Sequence, residues 1–114
     1  YSSETAEIVR LIDHPAIRMQ LDTGALAINE EQPEAVLASH ASLIGHVHAS
    51  EPQLLPLGDG DADHQAAGAA LSRYLPEHLV TIEMVATREE PHLQSIERAL
   101  GTASRAYRDG AAYP

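Results

Sequence analysis

Asp22, His48 and Glu83 each stand at the end of a short apolar run: IRMQLD, IGHVH and LVTIE. One aspartate, one imidazole and a glutamate make a hard, oxygen-rich set that suits Mn²⁺, Mg²⁺, Co²⁺ or Zn²⁺. Burying the three together is costly unless a positive charge sits between them. Taken singly, Asp22 also reads as a turn residue before Thr23-Gly24, His48 as a hydrogen-bonded core histidine and Glu83 as a solvated strand-boundary residue. The conjunction of all three favours a cation.

The runs that carry these residues alternate like strands. Arg18, Gln20 and Asp22 fall on one face of a strand over 17–22, with Ile17, Met19 and Leu21 on the other. In a strand over 44–48, His46 and His48 share a face with Ile44, opposite Val47. In a strand over 79–84, Thr81 and Glu83 face away from Val80, Ile82 and Met84. Each strand thus has one apolar and one polar side. Arg18 and Gln20, deeper along the first strand, are expected to neutralise interior carboxylates. His46 lies one layer below His48, where it faces substrate, supports the ligand or serves structure alone. Glu51 is within reach of the site mouth from the following loop, although a plain surface glutamate reads better.

Between the strands lie helical signals. Ser3 is a candidate cap for a helix with an apolar stripe of Ile8, Val9, Leu11 and Ile12, stopped by Pro15. A loop through Gly24 leads to a helix starting near Pro33 and carrying Val36, Leu37 and Leu43. The stretch 51–63, with Pro52, Pro56, Gly58 and Gly60, reads as a long loop. Asp61 or Asp63 then caps an alanine-rich helix to about Leu75. A last helix begins near Pro91, with Leu93, Ile96, Leu100, Ala103 and Tyr107 on one seam expected to be buried. The Asp59 to Asp63 run fails as a calcium loop, because His64 and Ala70 stand where glycine and glutamate belong. His14, His40, His64, His78 and His92 share no face and read as surface residues.

The order α-βα-βα-βα favours parallel strands with right-handed crossovers. Three such strands leave two unpaired edges and an open polar face, so the pattern reads as part of a closed α/β barrel, whose sites lie at the C-terminal ends of the strands. All 114 residues fall in one domain.

Composition narrows the partners. The net charge of −10, with only seven Lys+Arg, opposes a nucleic-acid backbone, and four tyrosines as the sole aromatics give no platform for stacking bases. Without cysteine, disulfides and thiolate metal sites are excluded. No apolar stretch is long enough for a membrane span and no secretory pattern opens the chain, which leads to a cytoplasmic expectation. The chain starts at Tyr1, so a natural start upstream is expected.

The segments LDTGAL, GHVHASEPQLLPLGDGDADH and TIEM resemble the C-terminal part of the xylose isomerase-like TIM barrels, the sugar isomerase and epimerase superfamily that includes endonuclease IV. The resemblance implies the last three βα units of a (β/α)8 barrel, with Asp22, His48 and Glu83 binding one divalent metal. Their separations of 26 and 35 residues are similar to those of the ketose 3-epimerases. It also implies a fourth ligand, a glutamate on a preceding strand, which would pair with Glu83 as acid and base. In the family mechanism the metal polarises a carbonyl and hydroxyl, and a carboxylate moves the acidified C–H proton.

Two positions depart from the pattern: Ala25 where the family often has histidine, and Leu54-Leu55 where epimerases tend to have arginine. The expected function is a metal-dependent sugar or sugar phosphate isomerase or epimerase acting on a carbohydrate, with Glu83 catalytic and this chain alone silent. An endonuclease IV-like phosphodiesterase needs more histidines and a basic track. A non-catalytic half-barrel that assembles with itself or a partner is the remaining alternative.

Overall fold

The computed structural model describes residues 1–85 and 89–108. Helix α1 (Ser2–Ile12) leads into β1 (Met19–Asp22), then α2 (Thr23–Ile28) and α3 (Pro33–His40). A 3-10 turn (Ala41–Leu43) delivers the chain to β2 (Ile44–Ala49). After another such turn (Pro52–Leu54) come α4 (His64–Tyr74), β3 (Thr81–Ile82), α5 (His92–Ala103) and a π-turn (Ser104–Arg108). The strands form one open parallel sheet in the order β1-β2-β3. This is the α/β, partial-barrel architecture expected from the alternation. Among the described residues no helix is long and apolar enough to cross a membrane.

The core lies on one side of the sheet. Met19 and Leu21 of β1 and Ile44 and Val47 of β2 pack against Leu26, Val36, Leu37, Ala70 and Leu71 from the helices. Burying each large side chain of this set contributes about 1.5–3 kcal/mol. A smaller cluster of Ala49, Leu57 and Ala99 lies beyond it, joined by Val80, Ile82 and Met84.

Several expectations change. Ile44 does not share a face with His46 and His48; it enters the core with Val47. The β1–β2 register slips between Met19 and Gln20, leaving Gly45 as an extra residue, and that slip turns Ile44 over. Glycine fits because Arg18 lies across it: a Cβ at position 45 would sit 2.7 Å from the Arg18 Cβ.

Ser3 does not cap α1, which begins at Ser2 with Tyr1 in the cap position, and the Ser2 amide and hydroxyl both donate to Glu31. The loop expected through Gly24 is helix α2, because Asp22 caps it by accepting the Ala25 N–H at 2.8 Å. Asp63 caps α4 in the same way through the Ala66 N–H.

The third strand is shorter than expected. Glu83 N–H still reaches the Ala49 carbonyl at 2.9 Å, but Val85 N–H turns to Leu54 of the loop, ending the ladder. The expected seam of α5 holds only at its C-terminal end, where Ala103 and Tyr107 pack against the smaller cluster. Ser95 and Ala99 are buried, whereas Leu93, Ile96 and Leu100 are exposed. Likewise α1 buries Ala6 while Leu11 is 78% exposed. The small residues allow close approach of these helices to the sheet, and Val9 of α1 packs beside them against the core, while the larger side chains Leu11, Leu93, Ile96 and Leu100 stay exposed.

Candidate metal centre

The parallel ladder does most of the positioning. Asp22 and His48 are Cα partners across β1–β2, and His48 and Thr81 are partners across β2–β3. Glu83, two residues beyond Thr81, regains the same face by strand alternation. Three side chains distant in sequence therefore converge at the C-terminal end of the sheet.

One ligand atom from each of Asp22, His48 and Glu83 lies within 4.8 Å of the other two. His48 Nδ1 is 3.0 Å from Glu83 Oε2 and 3.9 Å from Asp22 Oδ2. Donors about 2.1 Å from an ion and at right angles about it stand roughly 3 Å apart, so the group needs only small side-chain movements to hold a divalent cation. Asp22 and His48 expose about a fifth of their side chains, 21% and 19%, while Glu83 exposes 43%. The first two are fixtures of the sheet; Glu83 is more open to solvent. No arginine among the described residues bonds either carboxylate, so the electrostatics favour a cation between them.

The remaining sequence candidates separate. Gln20 is at the site, its amide nitrogen 3.4 Å from His48 Nδ1. His46 is also there, Nε2 to Nε2 at 2.9 Å from His48, with the rings edge to face. Were His48 Nδ1 to hold a cation, its proton would reside on Nε2 and be donated to His46, which would fix tautomer and ring orientation together.

Arg18 does not meet interior carboxylates. Its guanidinium lies at the opposite, N-terminal end of the strands, donating to the carbonyls of Ser42, Leu43 and Ile44. The 3-10 turn before β2 leaves those acceptors open, which is why the arginine settles there.

Glu51 is neither a surface residue nor at the mouth. It is 1% exposed and accepts the N–H groups of Gly58 and Ala62 at 3.1 Å each. Its Oε1 meets His64 Nε2 at 2.5 Å, and His64 Nδ1 meets the Tyr107 hydroxyl at 2.5 Å. His64 is thus buried, correcting its surface assignment. A buried carboxylate needs such partners, and the loop over 51–63 wraps round it to supply them. Burial holds the Tyr107 phenol above its ordinary range.

Sequence reasoning missed Ser50, whose hydroxyl donates to Asp22 Oδ1 at 2.7 Å. The signal was present: alternation places His46, His48 and Ser50 on one face. Leu54, at a position where an arginine is expected, lies in the turn after β2 with Gln53. Both adopt left-handed φ, 56° and 61°.

The profile of the family described as xylose isomerase-like TIM barrel matches residues 2–107. No curated protein matches by sequence. In fold, the chain is similar to a D-psicose 3-epimerase crystallised in the presence of D-fructose, with TM-score 0.79 and 18% identity over 93% of this chain and 43% of that one. It is similar to 3-keto-D-glucoside 4-epimerase, YcjR, from E. coli, with TM-score 0.76 and 21% identity over 88% of this chain and 38% of that one. A D-allulose 3-epimerase from Methylomonas sp. in complex with D-allulose gives TM-score 0.68 and 21% identity over 96% of this chain and 38% of that one. The chain spans less than half the length of each of these structures.

Proposed function

The chain belongs to the xylose isomerase-like TIM barrel family, and on that premise we propose that it is the C-terminal portion of a divalent-metal-dependent sugar or sugar phosphate isomerase or epimerase. The observation that carries this reading is the convergence of Asp22, His48 and Glu83 at the strand ends. A bound Mn²⁺, Mg²⁺, Co²⁺ or Zn²⁺ would polarise a substrate carbonyl and hydroxyl and acidify the neighbouring C–H.

The chain's own residues supply the rest. Asp22 and His48 are the fixed holders. Glu83 Oε2 faces His48, which leaves its second oxygen for the substrate, where it removes or returns the proton. His46 supports His48 from behind, and Gln20 offers an amide to a sugar hydroxyl. A single acid/base gives half of the proton traffic, so the partner carboxylate comes from the rest of the barrel, and the chain alone is inactive. The sugar-epimerase names of the similar structures support a carbohydrate substrate.

A mostly apolar groove between the β3 segment and α5, lined in part by Leu79, Val80, Ile82, Leu100 and Ala103, supports completion of the sheet by further strands. The same surface favours the second reading, a half-barrel that assembles with another copy. Mass and oligomeric state of the purified protein separate the two readings.

The test is metal-dependent exchange of a substrate C–H with D₂O, followed by NMR across ketoses with and without phosphate. Exchange that stops on chelation and returns with Mn²⁺ supports the proposal. A full-length protein that binds no divalent cation under conditions preserving the site sinks it.

A further inference from the structure

We infer that Ser50 is a positioning residue that selects which oxygen of Asp22 meets the cation and so sets the affinity of the site. This rests on the metal reading above and adds a residue to it.

Ser50 is 1% exposed. Its hydroxyl accepts the Gly24 N–H at 3.0 Å and donates to Asp22 Oδ1 at 2.7 Å. A hydroxyl has one proton, and the Gly24 donor occupies a lone pair, so the proton is steered to the carboxylate. The Ala25 N–H donates to the same oxygen at 2.8 Å. Two donors thus hold Oδ1, and Oδ2 is the oxygen turned towards His48 Nδ1. Capping by Ala25 alone would leave the carboxylate tied only to its own helix. Ser50 ties it to β2, the strand that carries His48.

The serine is itself fixed on two further sides. Its N–H donates to Thr23 Oγ1 at 2.8 Å, and its carbonyl accepts from that hydroxyl at 2.7 Å. Gly24 permits the approach, since a Cβ there would lie 2.7 Å from Ser50 Oγ and 2.8 Å from the Glu51 backbone. The geometry of Asp22 is therefore set before a cation arrives, and less ordering remains to oppose binding.

The experiment compares the full-length protein with Ser50→Ala and Ser50→Cys. Mn²⁺ affinity is read by calorimetry, Co²⁺ coordination by visible absorption and melting temperature by circular dichroism. The expected result is Mn²⁺ binding weakened by about 10–100-fold in Ser50→Ala, the range typical of residues that orient a ligand, with an altered Co²⁺ spectrum at saturation. Ser50→Cys, a weak donor of similar volume, falls between and reads the same quantity should the alanine variant not fold. A lowered melting temperature with unchanged Mn²⁺ affinity and Co²⁺ spectrum would overturn the inference and leave the metal site standing. Absence of Mn²⁺ binding in the unsubstituted protein would overturn both.

Discussion

His48 and Glu83 are 35 residues apart in the chain, yet His48 Nδ1 and Glu83 Oε2 lie 3.0 Å from each other at the end of the sheet. The ladder sets this distance: His48 is level with Thr81, and Glu83 follows one strand repeat later, still held by its N–H to Ala49. Glu83→Gln keeps the shape and removes the charge. Mn²⁺ affinity should fall on the order of 100-fold or more, beyond the 10–100-fold carried by supporting residues, with the melting temperature nearly unchanged because the side chain is half open to solvent. An equally strong Mn²⁺ isotherm would remove Glu83 from the site.

Gly68 of α4 faces the Ala106 carbonyl of the π-turn so closely that a Cβ would lie 1.8 Å from that oxygen. Replacing a helical glycine by alanine ordinarily gains about 1 kcal/mol, whereas overpacking costs about 1–3 kcal/mol. Steric cost should win here, because the obstacle is backbone and cannot rotate aside. Gly68→Ala is expected to lower the urea midpoint. A rise would show that the π-turn packs elsewhere.

What was legible in the sequence was whatever strand alternation alone decides. Gln20, Asp22, His46, His48, Thr81 and Glu83 project to one side because period two survives locally. Ile44 escaped because a register slip at Gly45 is a property of two strands and not of one. The N-terminal part of the α5 seam, Leu93, Ile96 and Leu100, was misassigned for a related reason: periodicity identifies an apolar stripe but not what it faces, and Ser95 and Ala99 won the inner position by being small. Glu51 and His64 read as surface residues by type. Their burial depends on Gly58, Ala62 and Tyr107 arriving together, and that meeting spans more than fifty residues of chain.

Tyr107 gives the fold an alkaline limit. Burial raises its phenol above the ordinary value of 10.0. The unfolded chain then releases this proton at lower pH than the folded one. The contribution is fully present below about pH 10 and is lost as pH rises through the folded value. Melting temperature should therefore decline above pH 10 in the parent, and Tyr107→Phe should flatten that decline. The same variant should cost about 1 kcal/mol at neutral pH, because His64 Nδ1 loses its partner. An identical alkaline slope in both proteins would contradict the buried placement of the phenol.

Glu51 is the residue on which the loop after β2 depends. Its carboxylate takes two backbone N–H groups and the His64 ring, all inside the protein. Removing one side of a buried, charged arrangement leaves the other side unpaired and typically costs 3–5 kcal/mol. Glu51→Ala should lose about that much stability and expose the segment 52–63 to limited proteolysis. Glu51→Gln retains an acceptor for the amides but brings an NH₂ group to face one of the existing donors, so it should fall between parent and alanine. Because that loop also carries Leu54, whose carbonyl receives the Val85 N–H just beyond Glu83, the loosened variant should bind Mn²⁺ more weakly as well. Proteolysis at the parent's rate in Glu51→Ala would mean that the loop is held by something other than this carboxylate.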